Sequence, residues 1–209
     1  MARRAAGHYH GDKTEIQAFK IDAGGIKGKL ISPELAPTQV DVTDVREHLG
    51  ALPFKENSIG FASAVTGIRS FDEQSNWQHT YDAELAQLLA VEIGAAETVV
   101  FDHTRNVHSD YSPQGAEQRL VYILGKEKAA DWSTGHYAFI NIWRLIAAPI
   151  NSAPLGFIRP SSVAAQDWIL LDLIYPDRTG QIMGLAANPN HEWVYLSRMT
   201  PDEVAYFNL

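Results

Sequence analysis

The sequence predicts an α+β chain, mainly β, built on a jelly-roll-like core backed by helices. Three observations predict it: a first half that carries one clear amphipathic helix, a second half of closely spaced β-rich runs cut by Pro, Gly and Asn, and no internal repeat. At 209 residues with 45% hydrophobic content the chain fills one core and is short for two, so residues 1–209 are expected to form a single domain.

Residues 15–31 alternate loosely around Gly24-Gly25 and predict a hairpin, and 33–39 (PELAPTQ) reads as a connector. In TYDAELAQLLAVEIG, residues Tyr81, Leu85, Leu88, Leu89 and Ile93 recur at helical spacing, and Gly94 suits a left-handed helix end. ETVVFDHT then reads as a strand leading into VHSDYS. After residue 130 the runs HYAFINIWRLI, APLGFIRP, DWILLDLIYP, QIMGLAAN, HEWVYLSRM and DEVAYFNL are each expected as strands.

Charge and composition exclude several functions. With 25 acidic and 17 basic residues the net charge is -8, a field that repels phosphate backbones, so no nucleic-acid partner is expected. No cysteine is present, which removes thiolate ligands and cysteine nucleophiles and leaves any metal site to His, Asp and Glu. No apolar run suits a membrane span, and a cytoplasmic location is expected. There is no G-x-S-x-G elbow, phosphate loop or dinucleotide fingerprint.

The segment VFDHTRNVHSDYS holds His108 and Asp110 two residues apart. On a strand, such residues share a face and converge, an arrangement suited to an imidazole–carboxylate chelate of non-haem iron with open positions for other ligands. A polar surface turn is the plainer reading of the same tripeptide. His103 is either an orienting partner for a ligand or a structural histidine holding the loop. His191 is a candidate metal ligand, against a strand-start histidine bonded to a loop. His8 and His10 read as solvated. Arg144 ends a β run beside Ile140 and Ile142 on one face, where burial requires an anion: a dicarboxylate ligand, or an internal pair with Asp172 or Asp177. Arg119 is a weaker candidate for the same role. Tyr111, Trp143, Tyr175 and Trp193 suit either a hydrophobic pocket or the core.

Beyond the tripeptide, the blocks 99–105, 107–112, 141–144, 153–155, 173–178, 188–193 and 199–204 together resemble a hydroxylase/desaturase family of small oxidoreductases from fungal and bacterial secondary metabolism, which includes a component of cephamycin methoxylation. The resemblance spans about residues 58 to 209. It implies a double-stranded β-helix (cupin-like) fold, Fe(II) and 2-oxoglutarate as cofactor and co-substrate, His108 and Asp110 as the first two iron ligands, and a small, hydrophobic metabolite as substrate. It also implies that the third ligand and a carboxylate-anchoring Arg follow the strand at Asp202 to Phe207, beyond Leu209. The domain is therefore expected to be short at its C-terminus. A non-catalytic β-roll that binds a small molecule without a complete iron site is the alternative. A third possibility is a cupin-like metal enzyme using His191 and independent of 2-oxoglutarate.

Overall fold

The computed structural model describes residues 2–10, 17–21, 28–30, 35–72, 76–101, 103, 113–146, 148–176 and 179–208. Among these the strands, in chain order, are β1 (Ala2–His10), β2 (Gln17–Ile21), β3 (Gly28–Leu30), β4 (Leu35–Asp44), β5 (Ile59–Ser63), β6 (Ile140–Arg144), β7 (Gly156–Ile158), β8 (Trp168–Ile174), β9 (Thr179–Leu185), β10 (Trp193–Tyr195) and β11 (Glu203–Asn208). The α-helices are α1 (Phe54–Asn57), α2 (Gln78–Ile93) and α3 (Pro113–Ser133). The chain is mainly β, in three sheets ordered β1-β4-β10-β7, β5-β11-β6 and β3-β2-β8-β9.

All six runs expected as strands after residue 130 are strands, β6 to β11, and the hairpin is present as β2 antiparallel to β3. Helix α2 ends as its pattern requires, with Gly94 left-handed at φ 71° and Tyr81, Leu85 and Leu89 buried.

Three expectations are corrected. The connector 33–39 largely belongs to β4, which starts at Leu35 and pairs antiparallel with β1. Pro37, opposite His8, can sit in this ladder because β10 joins β4 only from Val42 onward, so that among the described strands β4 has a neighbour on one side only at Pro37. The N-terminal residues are thus not a solvated tail. His8 is exposed as expected, but Tyr9 and His10 are buried, and His10 bridges to Ala186 next to β9. The His10 ring lies over Gly184, where a Cβ would come within 2.7 Å of it, so this approach needs a glycine. Finally, residues 97–101 form no strand despite their β-formers. Phe101 packs edge-on to Phe139 at 5.9 Å and under the Arg119 guanidinium at 5.2 Å, and Lys128 pairs with Glu97; packing on α3 replaces a ladder.

The main core lies between two sheets. Alternation along β5 and β11 sends Ile59 and Ala205 to one face, where they meet Phe157 and Val194 of the four-stranded β1-β4-β10-β7 sheet, with Val45, Leu52, Leu196 and Met199 filling the gap. Phe157 locks the layers through rings 5.8 Å from Phe61 and 5.0 Å from Phe207. The opposite face of β5-β11-β6 carries α2. Tyr81 near its start accepts a hydrogen bond from Arg144 of β6, and Glu92 near its end accepts one from Tyr206 of β11. Gly60, opposite Tyr206 in the ladder, leaves room for that ring, since a Cβ there would stand 2.1 Å from it. Among the described residues no helix is long and apolar enough to cross a membrane.

Candidate functional site

His108 and Asp110 lie outside the described residues, as do Tyr111 and Asp177. His103 is described five residues before His108, and α3 begins at Pro113, three residues after Asp110.

His103 is fastened to α2. Its Nε2 is 2.8 Å from Asp82 Oδ1, and its ring sits edge-on to Trp77 at 4.8 Å and 6.2 Å from Tyr81. Asp82 and Tyr81 follow Trp77 by five and four residues, so one end of the helix supplies the whole seat. Trp77 and Tyr81 are themselves braced by Phe71, whose ring lies 5.1 Å from each.

Among the described residues Arg144 meets no carboxylate, Asp172 included. Asp172 accepts from Gln181 instead, and Asp177 is outside the described residues. The guanidinium donates through Nε to the Tyr81 hydroxyl at 2.9 Å, through Nη1 to Pro201 O at 2.6 Å and through Nη2 to Ala64 O at 2.5 Å, and it stacks over the Tyr81 ring. Two carbonyls, a hydroxyl and an aromatic face therefore satisfy the half-buried charge in place of an anion. Arg119 lies between the rings of Phe101 and Tyr122, 5.2 Å from each.

His191 precedes β10 and is buried in a bonded chain. Trp193 Nε1 donates to the Tyr9 hydroxyl at 2.9 Å, that hydroxyl donates to His191 Nδ1 at 3.1 Å, and His191 Nε2 donates to Asp167 Oδ2 at 3.2 Å. The same Asp167 oxygen accepts from Asn188 and from the Ala164 amide. Burial alone would raise the Asp167 pKa, but the donors from Asn188, Ala164 and His191 outweigh it and hold the carboxyl below its usual range. Tyr9 is pushed up, chiefly by burial. Both His191 nitrogens are occupied within the protein, which is the strand-start histidine of the sequence reading.

Among the described residues no cluster of three or more His, Asp or Glu is placed to hold a metal. A narrow apolar pocket is lined by Phe61, Trp143, Leu155 and Met199, which places Trp143 in the core. An open cleft of about 680 Å³ lies beside the end of α2, lined by Leu49, Phe54, Lys55, Phe61, Glu92 and Tyr206. Sequence reasoning missed Asp82, Trp77, Tyr9 and Asp167. Spacing on α2 relates Trp77, Tyr81 and Asp82 to one another, but only the fold brings His103 to them.

The chain is 26% identical to a hydroxylase/desaturase, efuI, of Hormonema carpetanum, over 79% of this chain and 68% of that protein. It is 25% identical to an Fe(II)/2-oxoglutarate-dependent dioxygenase, nvfI, of Aspergillus novofumigatus, over 81% of this chain and 66% of that protein. The chain thus spans about two thirds of the length of these relatives. A solved structure of the iron and alpha-ketoglutarate-dependent endoperoxidase NvfI superposes with a TM-score of 0.82 at 18% identity, over 99% of this chain and 83% of that one, which shows a shared fold. These names bear out the resemblance read from the motif blocks. A family model described as Oxidoreductase/YMDC permease-like domain matches residues 9–209, and the chain belongs to that family.

Proposed function

We propose that this protein is a non-haem Fe(II)/2-oxoglutarate-dependent oxygenase that hydroxylates, desaturates or oxidatively cyclises a small hydrophobic intermediate of secondary metabolism. The observation that carries the reading is the pairing of a His-x-Asp motif with relatives named as a hydroxylase/desaturase and an Fe(II)/2-oxoglutarate-dependent dioxygenase. The names give no support to the non-catalytic alternative. We read the three sheets as belonging to a double-stranded β-helix within one domain, and the cysteine-free chain as a cytoplasmic protein.

The donor set fits the metal. Imidazole and carboxylate are ligands suited to Fe(II), and a cysteine-free chain offers no thiolate to divert it to a different site. His108 and Asp110 would hold the iron. Bound iron and 2-oxoglutarate supply the activation of oxygen for attack on an unactivated C–H bond; the protein supplies placement. α2 is the rigid part of that placement, tied to β6 through Tyr81, to β11 through Glu92 and to the loop after β5 by Thr66 and Gly67, which both donate to Glu84. Arg144, with donors directed to three protein oxygens, belongs to this support and is not assigned to the co-substrate carboxylate.

Iron-dependent conversion of 2-oxoglutarate to succinate under oxygen tests the reading. Turnover that requires Fe(II) and disappears in both His108→Ala and Asp110→Ala supports it. Turnover that needs no Fe(II), or that is unchanged in both variants, overturns it.

A further inference from the structure

We infer that the open cleft beside the end of α2 binds a small molecule made of an apolar body and a protonated amine, with the ammonium held by Glu92 and the body by the cleft's walls. The inference goes beyond the oxygenase reading and needs neither its metal nor its co-substrate.

Three observations carry it. First, size and lining suit such a molecule. The cleft holds about 680 Å³ between α1, β5, β11 and the last turn of α2, with Phe54, Phe61 and Ile93 among its walls. Small-molecule sites have this volume, apolar walls and a few fixed polar groups. Leu49 at the cleft is 39% exposed, so part of this apolar wall faces water.

Second, the carboxylate is fixed in place. Tyr206, only 4% exposed, donates from its hydroxyl to Glu92 Oε2 at 2.9 Å, and its ring is held by the stack on Phe54 at 5.3 Å and by its close approach to Gly60. Burial and the neighbouring carboxylate both push the Tyr206 pKa up, so the phenol keeps its proton and stays the donor. Glu92 itself is exposed, and among the described residues its Oε1 has no partner. A carboxylate that has accepted one hydrogen bond keeps lone pairs for the donors of an ammonium.

Third, the charge here is negative and uncompensated. Glu92 lies in the last turn of α2, where no basic residue stands. The carbonyl end of a helix carries partial negative charge, which disfavours a carboxylate and favours a cation, so a bound ammonium answers both. Lys55 lines the same cleft but is exposed, and among the described residues it pairs with no carboxylate. An anionic ligand would have to order this long side chain and meet repulsion from Glu92, within a molecule of net charge -8.

Isothermal titration of the intact chain near neutral pH with 2-phenylethylamine, 3-phenylpropionate and methylamine tests the site. The phenylethylamine is expected to bind, and the anion and the bare amine to bind at least about tenfold more weakly, the first for its charge and the second for its missing body. Glu92→Gln, which keeps an acceptor for Tyr206, is expected to weaken the amine about tenfold. Tyr206→Phe, which frees the carboxylate to move, is expected to weaken it by a smaller factor. Lys55→Glu, at an exposed position, is expected to tighten it and shows the charge preference should Glu92→Gln fold poorly. No binding of the phenylethylamine, equal binding of the phenylpropionate, or amine affinity unchanged in both Glu92→Gln and Lys55→Glu overturns the inference. A chain that is dimeric, becomes monomeric in Leu49→Asp and takes up no amine has a second copy seated on the cleft, which overturns it as well. None of these outcomes bears on 2-oxoglutarate turnover, so the iron reading stands or falls separately.

Discussion

His191 and Asp167, 24 residues apart in sequence, are joined by a buried hydrogen bond of 3.2 Å, and Tyr9 closes the other side of the imidazole at 3.1 Å. Strand β1 is thereby pinned to the start of β10 and to the turn that leads into β8. Tyr9→Phe leaves His191 Nδ1 without its donor and Trp193 Nε1 without its acceptor in a buried place, a loss of about 1–3 kcal/mol by the cost of unsatisfied groups. Thermal unfolding should show it as a clear fall in midpoint.

The same chain separates the two readings of His191. His191→Gln is expected to lower stability while leaving metal stoichiometry and affinity as they are, since both ring nitrogens already have protein partners. Metal analysis of the purified variant checks this, and a loss of bound metal would restore His191 as a ligand.

Acid should weaken the fold in a defined direction. Asp167, Asp44 and Glu203 all have folded pKa values below their ordinary 3.8, 3.8 and 4.5. For Glu203 burial works against this, but bonds from Arg46 and Thr200 prevail. A depressed carboxyl stabilises the fold fully above its unfolded pKa and loses that contribution as pH falls through the folded one. Denaturant midpoints should therefore be flat with respect to these groups near neutrality and decline from about pH 4.5 downward. Glu203→Gln should make the decline shallower.

Gly60→Ala places a methyl where the Tyr206 ring now lies, 2.1 Å from its nearest atom. The ring must leave its stack on Phe54 and its bond to Glu92, at a cost of about 1–3 kcal/mol by the usual penalty for overpacking. Near-UV circular dichroism together with the thermal midpoint reads both effects.

The β-rich second half could be read in sequence because each strand there carries its own alternation and its own Pro, Gly or Asn stop, as DWILLDLIYP and QIMGLAAN do. Helix α2 was equally readable, from one apolar stripe ended by Gly94. Helix α3 was not, because Gly125, at φ 75°, interrupts it and breaks the 3.6-residue pattern in two. Strand β1 was hidden for a different reason. Its Arg3, Arg4 and His8 are exposed, and only pairing with β4 and the burial of Tyr9 show that it belongs to a sheet. At the site, local spacing could suggest His108 and Asp110 as a pair, but the seat of His103 depends on residues more than 20 positions away, which no periodicity links.

We propose that His108 and Asp110 hold an iron that also takes 2-oxoglutarate. Anaerobic addition of Fe(II) and 2-oxoglutarate to the chain, followed by visible absorption, tests it most directly. A charge-transfer band is expected only with both additions and is expected to be lost in His108→Ala and in Asp110→Ala; an unchanged band in both variants would overturn the assignment.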